Sequence, residues 1–321
     1  MSEVAIGIDV GGTTTTFGFV ERDGTCVQRG SLRTDVRLDA EGFVAELLDA
    51  LRRSLDRLGG AHSIRGVGIG APNANYFNGT VENAPNLGWE GVVPLARMVG
   101  DGLGERAVLT NDANAAALGE MLFGNARGLS DFLLVTLGTG VGSGFVVGGR
   151  LVYGHDGFAG ELGHVIVEPG GRSCGCGRRG CLETYASVTG LVRTVREGLR
   201  HGRRSSLSSL GPEALDGRAV HDAAEAGDAL AAEAFEATGA RLGLALANAA
   251  AITSPAAIVL FGGLLAAGPR FLVPTKSAFE ANLLNLYCDK IELRVSGLDG
   301  PDAAILGASA LAWKEFEDDG S

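Results

Sequence analysis

The sequence has no excess of positive charge. Its 321 residues include 27 lysines and arginines against 38 aspartates and glutamates, which gives a formal net charge of −11. Nucleic acids and anionic membranes attract basic surfaces, so this balance argues against non-specific binding to either. We therefore expect neither a nucleic acid nor a membrane among the partners of this chain.

Long hydrophobic runs and leader-like segments are also missing. The most apolar region, residues 242–268, contains polar residues and Pro255, and a helix followed by a strand at 256–261 explains it better than a membrane span. The first residues lack the basic segment and apolar stretch of a secretory signal. No helix-turn-helix extension precedes the strand that begins at Val4. We expect a cytoplasmic protein.

Cysteine is scarce, with five residues in the chain, but three of them cluster. Cys174, Cys176 and Cys181 follow shortly after His164, with glycines interleaved. Structural zinc takes four nitrogen or sulfur ligands in a tetrahedron, and glycines permit the tight turns that such a loop needs. We predict that His164 and the three thiols bind one structural zinc ion.

The alternative is a disulfide or three unrelated thiols. The other two cysteines, Cys26 and Cys288, have no partner nearby in the sequence, and clustered thiols in a cytoplasmic protein bind metal more often than they form disulfides. Two carboxylates, Glu161 and Glu183, bracket the cluster, so a metal would also hold acidic side chains in place. Residues 161–183 are called the knuckle segment.

Glycine, by contrast, is abundant at 51 residues, and hydrophobic residues make up 45% of the chain. This composition favours tight turns between buried elements over disorder, and the length suggests two domains. Alternating strands and helices indicate an α/β fold, with an exposed loop at 200–217. The periodicity predicts strands at 64–70, 107–111, 258–261 and 291–295, and helices at 41–58, 112–123, 188–199, 221–226, 229–252, 271–286 and 303–316.

Two segments, 4–20 and 132–147, resemble each other. Each consists of an apolar strand, a turn rich in glycine and threonine, and a second apolar strand. Aligning Asp9 with Thr136 also aligns Gly11 with Gly138 and Thr13 with Gly140. The pattern suggests an internal duplication, in which two similar hairpins open two lobes.

The first of these turns runs from Asp9 to Thr14. Its glycines let backbone N–H groups approach phosphate oxygens, and its threonines add hydroxyl donors. The spacing is neither Gly-x-Gly-x-x-Gly nor a Walker A loop. Asp9 is an oxygen ligand of the kind that Mg²⁺ prefers when it bridges nucleotide phosphates. A plain hairpin turn is the alternative, and the matched second turn at 138–142 makes it less attractive.

Asn111 and Asp112 stand where a strand gives way to a helix. One interpretation makes Asp112 a helix N-cap, worth about 1 kcal/mol. The other makes it a general base directed at a substrate hydroxyl, kept ionised by the helix N-terminus. Phosphoryl transfer tolerates a weak base, because its loose transition state depends mainly on positioning and charge stabilisation. The spacing alone does not decide between the two.

Together these motifs resemble the ROK family (repressors, open reading frames and sugar kinases), and within it the bacterial ATP-dependent glucokinases. The similarity covers nearly the whole chain and is most specific in the cysteine block. The matching motifs are Asp9-x-Gly-Gly-Thr, Asn111-Asp112, Leu-Gly-Thr-Gly at 137–140 and Glu-x-Gly-His…Cys-x-Cys-Gly-x-x-Gly-Cys-x-Glu at 161–183.

The resemblance implies an actin-like fold of two ribonuclease-H-like α/β domains, with a cleft in which sugar and ATP meet. We accordingly expect a small domain at 1–122 together with the C-terminal helix 303–316, and a large domain at 123–302 that carries the zinc site. The implied activity is ATP-dependent phosphorylation of glucose to glucose 6-phosphate, with Mg²⁺ accompanying ATP. The resemblance also implies a homodimer.

Site residues follow from the resemblance motif by motif, with Asp112 as the catalytic base. The implied sugar-binding residues are Asn86, Asn111, Asp112, Glu161, His164 and Glu183. The implied nucleotide-binding residues are Asp9, Gly11, Gly12, Thr13, Thr14, Gly138, Thr139, Gly140, Gly262 and Gly263. The implied zinc ligands are His164, Cys174, Cys176 and Cys181. One ring nitrogen of His164 would bind the metal while the other meets a sugar hydroxyl.

Two positions depart from the family pattern. Thr14 stands where many members have lysine or asparagine, and Gly70-Ala71-Pro72-Asn73 replaces the commoner Gly-x-Pro-Gly. The second change touches a loop expected to line the sugar site, so fructose, allose and N-acetylmannosamine remain alternatives to glucose. Polyphosphate and other nucleotides remain alternative donors.

Two other classes of function are open at this point. The family contains sugar-sensing transcriptional regulators, and a zinc-stabilised sugar-binding module without turnover is also conceivable. The acidic charge and the missing DNA-binding extension count against a regulator, while Asp112 favours an enzyme.

Overall fold

The computed structural model describes residues 2–60, 62–84, 86–211, 213–298, 300 and 302–316. The chain divides into two compact units. The first comprises Met1–Ser130, Gly144–Gly160 and Ser296–Ser321, and the second comprises Asp131–Ser143 and Glu161–Val295. These units differ from the domains expected from the sequence, because residues 123–130, 144–160, 296–298, 300 and 302 lie in the first unit rather than the second.

The helices and strands largely follow the predicted periodicity. The strands are β1 (Ser2–Val10), β2 (Thr14–Glu21), β3 (Cys26–Arg33), β4 (His62–Gly70), β5 (Ala74–Asn75), β6 (Thr80–Glu82), β7 (Val92–Val93), β8 (Ala107–Thr110), β9 (Phe132–Leu137), β10 (Val141–Val147), β11 (Arg150–Leu151), β12 (Ala257–Phe261) and β13 (Glu292–Val295). The α-helices are α1 (Ala40–Leu58), α2 (Leu95–Leu103), α3 (Asp112–Leu122), α4 (Glu183–Ala186), α5 (Val188–Arg200), α6 (Gly217–Glu225), α7 (Ala229–Thr253), α8 (Pro269–Asn282) and α9 (Ala303–Glu315).

Two five-stranded sheets share one strand order. The first has the order β3-β2-β1-β4-β8, in which β2 is antiparallel to both neighbours and β4 is parallel to both of its own. The second has the order β11-β10-β9-β12-β13, in which β12 is parallel to β9 and β13. Numbered along the chain within each sheet, both orders read 3-2-1-4-5. The internal duplication predicted from the two hairpins is confirmed.

Helix α1 packs on the first sheet because its apolar residues recur every three or four positions. Phe43, Leu47 and Leu51 are buried and belong to the same apolar cluster as Ile8 of β1. Asp39 begins the helix as its N-cap, since its side chain accepts a backbone N–H of the first turn. Periodicity and cap together explain why this helix was predictable.

Helix α9 lies against β1 and β4 at two glycines. A Cβ atom at Gly7 would come within 2.2 Å of the Ile305 carbonyl oxygen, and one at Gly68 within 1.9 Å of the Ala308 carbonyl oxygen. Any larger residue would push the helix away from the sheet. This close approach ties the C-terminal helix to the sheet of the first unit.

Periodicity misses the shortest elements. Strands β5, β6 and β7 form a small antiparallel sheet and have only two or three residues each, too few for alternation to show. Helix α2 contains Gly100 and Gly102, which have low helix propensity. The predicted loop at 200–217 includes one 3₁₀ turn, Ser206–Ser209. Among the described residues, no helix combines the length and the apolar character needed to cross a membrane.

Candidate active site

The carboxyl ends of β1, β4 and β8 carry the polar residues of the first unit. Asp9 pairs in register with Gly70, and Gly70 pairs with Thr110, so Asn111 and Asp112 follow at the same edge of the sheet. A Cβ atom at Gly70 would lie 3.7 Å from Asp9 Oδ1 and 3.8 Å from the Cα of Asp112. The structure therefore brings the two aspartates together.

Asn111, rather than Asp112, caps helix α3. The Asn111 side-chain oxygen accepts the N–H of Asn114 at 2.7 Å, and its backbone is extended as a cap requires. Asp112 is the first helical residue, and its Oδ1 accepts the N–H of Ala113 at 2.8 Å. The interpretation of Asp112 as the N-cap is therefore wrong. Both residue types cap helices, so the sequence could not tell which of the two does so.

Both aspartates of this edge ionise less readily than ordinary aspartates. Burial, followed by the charge of Asp112, raises the pKa of Asp9 to about 6. Burial also raises the pKa of Asp112, against the opposing hydrogen bond from the Ala113 N–H. Part of the Asp112 surface reaches solvent, yet protein fills most of the volume around it, so its charged form loses hydration. Asp112 thus combines accessibility with a raised proton affinity.

The turn after β1 is closed by its own backbone. The N–H of Gly11 donates to the carbonyl oxygen of Thr14 at 3.2 Å. Asn86 packs on this turn, because a Cβ atom at Gly12 would lie 3.0 Å from the Asn86 Cβ. Thr13 and Thr14 are exposed. The first unit therefore places a predicted sugar-binding residue beside the predicted phosphate-binding turn.

The second unit repeats this turn after β9. The N–H of Gly138 donates to the carbonyl oxygen of Gly140 at 3.1 Å, with Thr139 between them. Gly262 follows β12, the parallel neighbour of β9, with a φ of 118°. A Cβ atom at Gly262 would lie 2.6 Å from the carbonyl oxygen of Leu137, so Gly262 and Gly263 lie close to the turn. The structure thus gathers the predicted nucleotide-binding glycines of this unit.

The knuckle segment brings together the four predicted zinc ligands. The ligand atoms of His164, Cys174, Cys176 and Cys181 all lie within 4.8 Å of one another. The Cys176 and Cys181 Sγ atoms are 3.6 Å apart, and the Cys174 Sγ is 3.6 Å from the His164 Nδ1. Zn–S bonds of about 2.3 Å in a tetrahedron place sulfur atoms about 3.8 Å apart. The four side chains fit a zinc ion.

Two of the three thiols lie in surroundings that favour the neutral thiol, whereas the backbone N–H of Arg178 lowers the pKa of the third, Cys176. Burial raises the pKa of the Cys174 thiol to about 12, and burial raises the pKa of Cys181 as well. Thiolates are the form that binds metal, and a bound cation would stabilise them where burial opposes ionisation. Because four ligands complete the tetrahedron, such a zinc ion would order the segment and leave no coordination position for substrate.

Two carboxylates flank the imidazole of His164. Glu161 Oε2 is 3.9 Å from the imidazole Nε2, and Glu183 Oε1 is 3.8 Å from Nδ1. Glu183 also accepts a hydrogen bond from the Cys174 Sγ at 3.1 Å, and its Oε2 would lie 2.9 Å from a Cβ atom at Gly140. Glu183 therefore contacts both the zinc ligands and the glycine-rich turn of this unit.

One supporting residue escapes the sequence motifs. The Ser143 Oγ accepts the N–H of Leu162 at 3.1 Å. This bond fixes the 3₁₀ turn Leu162–His164, which positions the imidazole next to Glu161. The two partners are separated by 19 positions in the chain, and no local pattern connects them.

Duplicated ribonuclease-H-like sheets with glycine-rich turns at their strand ends are the features of the actin-like fold. The model of the ROK family matches residues 5–315, so the chain belongs to the ROK family. The resemblance inferred from the sequence motifs is therefore confirmed.

Individual relatives agree with this assignment. The chain is 38% identical to a glucokinase of Halalkalibacterium halodurans, over 97% of this chain and 95% of that protein. It resembles the crystal structure of a ROK family glucokinase from Streptomyces griseus in complex with glucose and AMPPNP, with 33% identity, a TM-score of 0.79 and coverage of 97% and 99%. It also resembles a ROK hexokinase from Thermus thermophilus, with 30% identity, a TM-score of 0.84 and coverage of 98% and 100%. These likenesses confirm the predicted actin-like α/β fold class.

Proposed function

We propose that this chain transfers the γ-phosphoryl group of ATP to glucose and forms glucose 6-phosphate. The observation that carries the proposal is the carboxyl group of Asp112, which burial makes more basic while solvent still reaches it. The glucokinase and hexokinase relatives support an ATP-dependent hexose kinase as the class of enzyme.

Asp112 is the general base of the proposed reaction. It accepts the proton of the 6-hydroxyl while the O6–Pγ bond forms and the bond from Pγ to the bridging β-phosphate oxygen breaks. The hydrogen bond from the Ala113 N–H orients the Asp112 carboxylate. The raised pKa of Asp112 makes this carboxylate a stronger proton acceptor. A positioned base usually contributes about 10²–10⁴-fold to the rate.

Each unit offers one glycine-rich turn for phosphate binding. Residues 11–14 of the first unit and 138–140 of the second offer backbone N–H groups and threonine hydroxyls. Asp9 would offer a hard oxygen ligand to the Mg²⁺ that accompanies ATP, and Gly262 and Gly263 would lie near adenosine. These groups offset the negative charge of the transferring phosphoryl group.

The sugar hydroxyls are held by amides and carboxylates. We assign Asn86 and Asn111 of the first unit to sugar binding, and we assign Glu161, His164 and Glu183 of the second unit to the same role. The Asn111 oxygen already caps α3, so its amide hydrogens are the groups that would donate to the sugar. A carboxylate can accept from two hydroxyls at once, which suits a polyol.

His164 and the three cysteines would hold a structural zinc ion. It would keep the knuckle segment rigid, and with it the positions of Glu161 and Glu183. We further infer a cytoplasmic enzyme that acts at the entry of glucose into glycolysis, because ATP-dependent sugar phosphorylation takes place where ATP is made. We also infer a homodimer, which the resemblance to the family implies. Light scattering coupled to gel filtration would test the dimer.

A panel of sugars and phosphoryl donors tests the proposed function, with ADP release measured in a coupled assay for ATP and sugar phosphate measured directly for the other donors. Purified enzyme is assayed with glucose, fructose, allose, N-acetylmannosamine and mannose, each against ATP, GTP and polyphosphate, and the product is identified by ³¹P NMR. We expect glucose with ATP to give the highest kcat/KM and a phosphate on the 6-hydroxyl. Higher kcat/KM for another sugar would move the assignment to that hexose, and no turnover with any pair would indicate a binding or regulatory protein.

The matched control is Asp112→Asn. This variant keeps the size and hydrogen-bonding shape of the side chain but cannot accept the proton. We expect it to bind glucose in calorimetry and to lose turnover by about 10²–10⁴-fold. A kcat within tenfold of the parent enzyme would remove Asp112 from the mechanism.

A further inference from the structure

Arg172 has no role in the site described above, although its side chain is only 10% exposed. It lies in the knuckle segment, two positions before the zinc ligand Cys174. A buried guanidinium costs hydration and is retained only where its donors find acceptors. The acceptors around Arg172 therefore show what the residue does.

The Arg172 guanidinium makes five hydrogen bonds to four residues. Nε and Nη2 donate to the Glu197 Oε2 at 3.1 and 2.6 Å, and Nη2 also donates to the Thr194 Oγ1 at 2.9 Å. Nη1 donates to the carbonyl oxygens of Thr184 at 2.7 Å and Gly190 at 3.2 Å. Helices α4 and α5 are thus both joined to the knuckle segment through one side chain.

Thr184 connects this network to the sugar and zinc residues. It follows Glu183 directly in the single-turn helix α4. Its hydroxyl donates to the carbonyl oxygen of Cys181 at 2.8 Å, while its own carbonyl oxygen accepts from Arg172. A helix of one turn has too few internal hydrogen bonds to fix its own position. The position of Glu183 therefore depends on these external bonds.

Tyr185 adds a second connection between the same elements. Its hydroxyl accepts the backbone N–H of Arg172 at 2.9 Å, and the Arg172 guanidinium carbon lies 4.5 Å from the centre of its ring. A Cβ atom at Gly171 would lie 2.2 Å from the Tyr185 hydroxyl, so glycine is needed for this approach. The backbone and the side chain of Arg172 therefore both contact helix α4.

We propose that Arg172 is a positioning residue for sugar binding: it fastens the knuckle segment to helix α4 and so fixes Glu183 relative to His164. The part that concerns glucose rests on the proposed function, whereas the fastening itself does not. The planar fork of arginine suits this task, because lysine offers a compact charge that cannot reach the same acceptors together.

A structural ion pair is the competing explanation, and Arg193 provides the control for it. Arg193 also donates to Glu197, at 3.0 Å, and to the carbonyl oxygen of Ser173 in the knuckle segment, at 3.1 Å. It thus shares the carboxylate and the segment with Arg172 but not the bonds to α4. If charge pairing alone matters, Arg172→Met and Arg193→Met will behave alike.

The experiment compares Arg172→Met, Arg172→Lys and Arg193→Met in the full-length, zinc-containing protein. Glucose affinity is measured by calorimetry, glucose and ATP KM by the coupled assay, and zinc release by a chromogenic chelator. Loss of residues that orient metal ligands typically costs about 10–100-fold. We expect a loss of that size in glucose affinity and faster zinc release for Arg172→Met, little change in ATP KM, and a smaller effect for Arg172→Lys.

The outcomes separate this proposal from the proposed function. Equal behaviour of the Arg172 and Arg193 variants, or equal weakening toward glucose and ATP, would overturn the positioning role. If the parent protein binds no glucose, the proposed function fails, and zinc release still decides whether Arg172 fastens the knuckle segment. Should Arg172→Met not fold, Arg172→Lys is compared with Arg193→Met by the same readouts.

Discussion

Asp9 and Asp112 lie close to Gly70 of β4, at the carboxyl ends of β1 and β8, the two strands that flank β4. Burial and then the charge of Asp112 raise the pKa of Asp9 to about 6, and burial raises the pKa of Asp112. Two like charges at close range oppose each other's ionisation. In the proposed reaction the two groups need different partners, Mg²⁺ for Asp9 and a hydroxyl proton for Asp112.

Removing the charge of Asp112 should therefore make Asp9 more acidic. We expect Asp112→Asn to lower the pKa of Asp9 from about 6 toward its ordinary value, though burial keeps part of the shift. Carboxyl ¹³C NMR of aspartate-labelled protein measures this titration. Glu46→Gln, on the exposed face of α1, is the control and should leave Asp9 unchanged. An Asp9 titration that does not move in Asp112→Asn would show that the two charges are not coupled.

The raised pKa of Asp9 also predicts opposite effects of pH on activity and stability. Ionised Asp9 is the form that attracts Mg²⁺, so kcat/KM for MgATP should fall as the pH drops through about 6. Folding favours the protonated form, so the stability that Asp9 contributes is complete below its unfolded pKa and is lost as the pH rises through about 6. Asp9→Asn should therefore melt at a higher temperature than the parent at pH 8 and be less active. A melting temperature of Asp9→Asn below that of the parent at pH 8 would contradict this direction of the pH effect on stability.

Much of this arrangement was predictable because it depends on local sequence. The hairpins at 4–20 and 132–147 share one pattern, and the apolar spacing of α1 agrees with its buried face. The grouping of His164 with the three cysteines was predictable because the cysteines lie in one short segment and have the chemistry that zinc prefers.

Other features depend on contacts between distant parts of the chain. Ser143 is hydrogen-bonded to Leu162, and Arg172 is hydrogen-bonded to Glu197, which lies 25 positions further along the chain. No repeated spacing in the sequence predicts either pair. The choice between Asn111 and Asp112 as the cap required backbone angles, because both side chains suit the position. Strands of two residues, such as β5, form only because neighbouring strands pair with them.

Glu183 should act on glucose rather than on ATP. We expect Glu183→Gln to raise glucose KM by roughly 10–100-fold, the range for losing a charged hydrogen bond of about 1.5–3 kcal/mol, with ATP KM nearly unchanged. Glu168→Gln is the matched control, because Glu168 is an exposed glutamate of the knuckle segment. Equal increases in both KM values, or none, would remove Glu183 from the sugar site.

Zinc should prove structural. Elemental analysis should give about one zinc per chain, since His164 and three cysteines form a complete tetrahedral set. Cys181→Ser should lose the metal, melt at a lower temperature and bind glucose more weakly, whereas Cys288→Ser, outside the cluster, should keep the metal. Full glucose affinity in protein shown to be free of zinc would contradict the ordering role.

The last prediction concerns Glu120, which is 1% exposed on helix α3, the helix that begins with Asp112. Its carboxyl group accepts the N–H groups of Asn125 at 2.7 Å, Gly297 at 3.1 Å and Leu298 at 3.2 Å, and the hydroxyl of Ser296. These donors belong to two segments, one after α3 and one before α9. Glu120 thus ties both segments to the helix that carries the proposed base.

Glu120→Ala should destabilise the protein because four donors, among them the N–H of the buried Leu298, would lose their acceptor at once. The penalty for one such donor is about 1–3 kcal/mol, so we expect a loss of at least that size in the free energy of unfolding. Glu120→Gln keeps one side-chain oxygen, but its NH₂ group cannot accept the remaining N–H groups. Its free energy of unfolding should therefore lie between those of the parent and of Glu120→Ala. Urea unfolding measures both, with Glu46→Ala as an exposed control expected within about 0.5 kcal/mol of the parent. If Glu120→Ala unfolds like Glu46→Ala, the two segments are held by other contacts, and Glu120 has no part in supporting α3.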